Sequence, residues 1–118
     1  MDITKIQNQL RDFASERDWG QFHTPKNLSM ALSVEASELV EIFQWLTPKE
    51  STFPDEKQSD SIRSEVADIA MYLIRFCDVL EIDLEKAIEE KLTQNKIKYP
   101  VELSKGSAKK YDQLKKTS

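Results

Sequence analysis

The sequence predicts an all-α protein, a four-helix bundle followed by a C-terminal tail that is either flexible or docked on a partner. Four stretches carry apolar residues at the 3-4 spacing of one helix face. No stretch shows the two-residue alternation of a strand, and the connections are mostly short, as between neighbouring antiparallel helices. The 118 residues suit one domain with a core of its own, at 39% hydrophobic and 32% charged. The helical domain is expected at 1–100 and the lysine-rich tail at 101–118.

The first helix is expected over about 2–17, where Ile3, Ile6, Leu10 and Phe13 recur at 3-4-3 spacing. Gly20 and Pro25 break the chain in "RDWGQFHTPKN". The second helix, about 27–46, begins with Asn27 as its cap and stops before Thr47-Pro48. A polar connection with two prolines, "TPKESTFPDEKQSD", leads to a third helix over about 58–80, carrying Ile62, Val66, Ile69, Leu73, Phe76 and Leu80. After the turn at "EID" a fourth runs from about Asp83 to Lys98 and stops at Pro100. Cys77, the single cysteine, permits no intrachain disulfide and reads as a small core residue.

These apolar seams are interrupted, and the interruptions carry the chemistry. Leu28, Leu32, Leu39, Ile42 and Leu46 keep a 4-3-4-3-4 seam only if position 35 is counted, and position 35 is Glu35, with Glu38 one turn on. On the third helix Glu65, Asp68 and Tyr72 run one residue off the seam, along its edge. On the fourth, Leu84, Ile88, Lys91 and Asn95 put a lysine and an asparagine at seam positions. Four carboxylates gathered at one level of a bundle repel one another and resist desolvation, so they persist only with charge compensation. A carboxylate-rich, all-oxygen site suits Mg²⁺ or Mn²⁺, with coordination positions left for phosphate oxygens. Lys91 and Asn95 then offer donors to those oxygens.

Two other readings compete. Glu-x-x-Glu pairs also decorate solvated helix faces, and the chain then reads as a non-catalytic helical interaction module whose seam meets a protein partner. Redox iron in a bundle needs a Glu-x-x-His pair from each of two helices, whereas this chain has one histidine, His23, placed in a loop as a hydrogen-bonding residue. Trp19 and Phe22 after the first helix and Trp45 at the end of the second offer π faces on which a nucleobase can stack.

Charge and glycine content exclude several classes. The net charge is −4; five lysines against Glu102 and Asp112 set the segment 102–118 at +3 and the preceding 101 residues at −7. So acidic a body argues against nucleic acid as a partner. The two glycines, Gly20 and Gly106, are too few and too far apart for a P-loop or a dinucleotide-binding fingerprint. No apolar run reaches the roughly 18 residues of a membrane helix. "MDITKIQNQL" lacks the pattern of a signal peptide, so a cytoplasmic protein without membrane partners is expected.

Three segments, "RDWGQFHTPKNLSMALSVEASELVEIFQW", "EVADIAMYLIRFCDVLEIDLEKAI" and "KLTQNKIKYP", together resemble the MazG-like all-α nucleoside triphosphate pyrophosphohydrolases, in their dCTP-pyrophosphatase-like branch. The resemblance runs from about Ile6 to Pro100, with an echo in "VELSKGSAKKYDQL". The family's ExxE, spacer, ExxD pattern falls on Glu35, Glu38, Glu65 and Asp68, while Val34 takes the leading position of the longer EExxE form. Leu10 stands where vertebrate dCTP-preferring members carry a histidine near the base.

The resemblance implies Mg²⁺-dependent hydrolysis of a nucleoside triphosphate between its α and β phosphates, with the four carboxylates as metal ligands. It places Lys91, Asn95, Lys98 and Tyr99 at the phosphates or sugar, Tyr72 against the deoxyribose, and Trp19 and Trp45 beside the base. It also implies a homodimer or homotetramer and a role in clearing surplus or non-standard deoxynucleotides.

Overall fold

The computed structural model describes residues 1–106, and among them every regular element is helical. The chain divides into two compact units, one formed by Met1–Ile82 and one that begins at Asp83. Most of the expected tail, residues 107–118, lies outside the described residues, and with it the expectation of a flexible or partner-docking arm.

The first unit opens with α1 (Ile3–Glu16), whose N-cap Asp2 accepts a hydrogen bond from the Lys5 amide at 3.0 Å. The helix ends in a left-handed turn: Asp18 has φ of 54°, and the Trp19 amide returns to the Ala14 carbonyl at 2.8 Å. That reversal sets Trp19 edge-on to Phe13, with ring centroids 5.6 Å apart. The Arg17 guanidinium lies 3.7 Å over the Phe13 ring centroid. A 3₁₀ turn (Gly20–Phe22) then carries the chain to the second helix.

Helix α2 spans Pro25–Phe43, earlier at both ends than its apolar period suggests. Its cap is Thr24, not Asn27: the Thr24 hydroxyl accepts from the Asn27 amide at 3.1 Å, and Pro25 takes the first helical position. Asn27 instead donates from its side chain to the Phe22 carbonyl. Trp45 and Leu46, expected in the last turn, lie beyond the helix. The polar connection contains a short helix, α3 (Pro48–Ser51), closed by a Thr47/Glu50 capping box. A second capping box, Asp55 with Gln58, starts α4 (Glu56–Val79). Like α1, α4 ends in a left-handed residue, Glu81 at φ 57°.

α2 and α1 both pack on α4. Ala14, Leu28, Ile74 and Cys77 are the buried apolar residues among those described, so the cysteine is the core residue it was expected to be. Burial holds its thiol pKa above the ordinary value. The inward face of α4 differs from the expected seam. Val66 and Leu73 are exposed, at 50% and 36%, whereas Glu65, Asp68, Tyr72 and Arg75 are half-buried. Ile62, Ile69 and Phe76 of the expected seam are half-buried too, so the inward face takes in half of the apolar row together with its polar edge.

In the second unit Asp83 caps α5 (Leu84–Lys98) by accepting from the Lys86 amide at 3.1 Å. Pro100 precedes a single turn, α6 (Val101–Ser104), within what was expected to be tail.

Candidate active site

Glu35 and Glu38 lie three residues apart on α2, Glu65 and Asp68 three apart on α4, and the two helices pack together. A carboxylate oxygen from each of Glu35, Glu38 and Glu65 can be chosen so that all three lie within 4.8 Å of one another. The groups act on each other accordingly. Hydrogen bonding to Glu65 is the largest cause raising the Glu35 pKa above its ordinary value, with burial and the charges of Glu65 and Asp68 adding to it. Glu38 is raised as well, first by its hydrogen bond with Glu35 and then by that residue's charge. Of the four carboxylates, the structure thus brings three into one cluster and sets Asp68 within electrostatic reach.

No lysine or arginine among the described residues forms an ion pair with any of the four. One oxygen of Glu65, Oε2, is buried without a hydrogen-bond partner. A buried, partnerless carboxylate oxygen among further carboxylates is the environment a hard cation completes, since the donor set is all oxygen and the charge is unbalanced. The residues present therefore fit a divalent metal ion.

Asp68 also borders a cavity of about 510 Å³ in the same unit. Leu10, Phe13 and Trp19 from α1 and its closing turn form part of the wall, with Met71 and Tyr72 from α4. The polar part of the wall is Gln9, Asp68, His23 and Arg75. Trp19 and Tyr72, expected at the base and the sugar, both face this space. Phe22 and Trp45 do not line it; they are 59% and 88% exposed. Lys91, Asn95, Lys98 and Tyr99 all belong to the second unit: Lys91 and Lys98 are exposed on α5, Asn95 is half-buried, and Tyr99 caps the helix by donating its amide to the Asn95 carbonyl. Of the expected seam residues there, Leu84 is half-buried and Ile88 exposed.

His23 is the loop hydrogen-bonder its position suggested, and its partner is a residue the sequence reading did not single out. Arg75 Nε donates to His23 Nδ1 at 3.1 Å, and Arg75 Nη1 to Asp78 Oδ2 at 3.0 Å. Arg11 Nε also donates to Asp78 Oδ2, at 3.0 Å, so two helices hold one carboxylate. That pairing, led by the Arg11 hydrogen bond, keeps the Asp78 pKa below the ordinary value. Arg75 and Asp78 show the i, i+3 spacing of a helix pair, a signal legible in the sequence. Arg11 lies 67 residues from Asp78, and nothing local announces their contact.

An all-α chain with a carboxylate cluster between two packed helices belongs to a recognisable class. The model of the family described as MazG-like matches residues 30–114, and the chain belongs to that family. Among curated proteins it is similar to dCTP pyrophosphatase 1 of Mus musculus, 41% identical over 106 residues, covering 87% of this chain and 62% of that protein. The human protein of the same name is 38% identical over 107 residues, with the same coverage of 87% and 62%. The chain thus spans 62% of the length of these relatives. The crystal structure of a pyrophosphatase from Archaeoglobus fulgidus DSM 4304 superposes with a TM-score of 0.80 at 38% identity, covering 85% of this chain and 94% of that one.

Proposed function

We propose that this chain hydrolyses a nucleoside triphosphate between its α and β phosphates, giving a nucleoside monophosphate and pyrophosphate. Glu35, Glu38, Glu65 and Asp68 would hold Mg²⁺, or Mn²⁺ in its place. The observation that carries this reading is the cluster of three carboxylates with a partnerless buried oxygen on Glu65, joined through Asp68 to a cavity large enough for a nucleoside. A bound divalent ion would neutralise charge on the triphosphate and make a coordinated water more acidic.

The chain's own residues then have separable tasks. Trp19 offers a π face to the base, and Tyr72 packs against the sugar, favouring a 2′-deoxy substrate. Glu38 takes a proton from the water that attacks the α phosphorus. The rest is positioning, which helices held by capped ends and mutual packing can supply. The names of the relatives at 38–41% identity point to dCTP among the substrates; we extend that reading to a modified dCTP and to removal of surplus or non-standard deoxynucleotides.

We further read the protein as a homodimer or homotetramer. Val34, Val66 and Leu73 are large apolar side chains left exposed on the central helices of the first unit, and a second copy would cover them.

The test is to incubate the protein with a panel of dNTPs and Mg²⁺ and to measure pyrophosphate. Release from dCTP or a modified dCTP is expected. No release from any member would leave the non-catalytic interaction module as the better reading.

A further inference from the structure

Arg75 lies on α4 among residues that line the cavity, away from the carboxylate cluster and outside the roles given above. Its side chain is 14% exposed and its donors are aimed: Nη1 at Asp78 Oδ2, 3.0 Å, and Nε at His23 Nδ1, 3.1 Å. Asp78, 8% exposed, is itself held from the other side by Arg11 of α1. The guanidinium plane is therefore fixed by a partner that does not depend on His23.

An arginine has only donors, and it stays protonated in a protein. The nitrogen that accepts from it must carry a lone pair. His23 Nδ1 is therefore unprotonated, and the neutral ring bears its proton on Nε2. With Nδ1 occupied by Arg75 and the ring on the cavity wall, Nε2–H is the donor left for a bound molecule.

We propose that Arg75 is a positioning residue: it holds His23 as a neutral imidazole of one tautomer, so that the ring presents a single fixed N–H to an acceptor oxygen or nitrogen of the nucleotide. This rests on the nucleotide reading of the cavity. A neutral donor of fixed direction rewards an acceptor in one place and adds little long-range attraction for phosphate, so its contribution goes to selectivity.

The charged and titratable neighbours agree with this assignment. Arg75 is the cation at the ring, Arg11 and Asp78 form the pair behind it, and Asp68 and Tyr72 share the cavity wall. Burial, and then the charge of Arg75, lower the His23 pKa from its ordinary 6.5. Both causes favour the neutral ring over the charged one, in the same sense as the hydrogen bond from Arg75.

His23 is the only histidine in the chain, so every imidazole signal in a nitrogen-15 NMR spectrum belongs to it. In the wild-type protein the spectrum is expected to show one neutral state, protonated on Nε2, with a titration midpoint below 6.5. Arg75→Lys keeps a positive charge nearby but loses the planar Nε–H, and Asp78 keeps Arg11. In that variant the two tautomers should mix and the midpoint rise. With dCTP and Mg²⁺, KM should increase about 5- to 10-fold, as for loss of one hydrogen bond near a charged group. The increase should be larger at pH 8, where the neutral ring can place its proton on Nδ1, than at pH 6, where a protonated ring donates from both nitrogens, and it should fall on KM more than on kcat.

A wild-type ring protonated on Nδ1, or titrating as an ordinary histidine, would overturn the proposal without touching the carboxylate cluster. A KM profile in Arg75→Lys that runs parallel to wild type would do the same. Failure of the protein to turn over any nucleotide, with the ring nonetheless locked, would end both the enzymatic reading and the donor's role in it.

Discussion

Two sets of charged side chains border α4, and they are balanced in opposite ways. On one side, Asp78 sits between Arg11 and Arg75, and its pKa is lowered. On the other, Glu35, Glu38 and Glu65 meet with no cation paired to them among the described residues, and the pKa values of Glu35 and Glu38 are raised. The first set is complete in the polypeptide and contributes to its folding. The second has no compensating charge among the described residues, and on the proposed reading a bound cation would relieve its repulsion. Local charge balance thus distinguishes the two sets more clearly than burial does, for both are partly enclosed.

The sharpest way to break this contrast is to neutralise one member of each set. Glu38→Gln should lower turnover of a dNTP by about 100-fold or more, because a ligand and proton acceptor is removed from the reacting region. The same change should leave the metal-free protein as stable as before or more so, since it relieves repulsion. A large fall in metal-free melting temperature would mean that Glu38 supports the fold instead.

Metal should distinguish the two sets next. At free Mg²⁺ about 100 times its Kd, binding to the folded state alone adds about 2.7 kcal/mol, a shift of several degrees in Tm. Glu38→Gln should shrink that shift, and a change in the Asp78 network should leave it alone. Melting curves that coincide in millimolar Mg²⁺ and in EDTA would remove the basis for treating the cluster as a cation site.

Asp78→Asn is the counterpart. It leaves the half-buried Arg75 with a weaker partner, so a loss of about 2 kcal/mol is expected in urea unfolding, with or without metal. The unfolding slope m should stay the same, because the surface exposed on unfolding does not change. Little or no loss would place Asp78 among surface pairs, which contribute little.

The sequence made the cluster legible and the network nearly invisible, for a physical reason. Glu35, Glu38, Glu65 and Asp68 are two i, i+3 pairs, and a break in an apolar period is visible within one helix. Arg11 and Asp78 are 67 residues apart, and their contact exists only once α1 packs on α4. The four long helices were likewise legible from period, but their ends were not. Thr24 displaces Asn27 as the α2 cap because Pro25 fits the first helical position, whose amide hydrogen bond is dispensable. Half of the α4 seam was hidden too: period alone marks Val66 and Leu73 as inward along with Ile62, Ile69 and Phe76, whereas those two are exposed in the single chain. A second copy of the chain, as proposed above, would cover these residues.

The smallest effect, and the one that tests the sign of the contrast, is pH dependence. A carboxyl whose folded pKa is raised stabilises the fold below its ordinary value, 4.5 for Glu35 and Glu38, and that contribution is lost as pH climbs through the raised value. Asp78 behaves in reverse: its contribution is present above the ordinary 3.8 and is lost as pH falls through the lowered value. In metal-free urea unfolding, Glu38→Gln should therefore gain on wild type as pH rises from about 4 to 7. The deficit of Asp78→Asn should hold over that range and close only on stronger acidification. If the two variants instead tracked wild type with the same slope, the two sets would not differ in charge balance. The carboxylates of α2 and α4 would then be an ordinary solvated face, with no unbalanced charge for a cation to relieve.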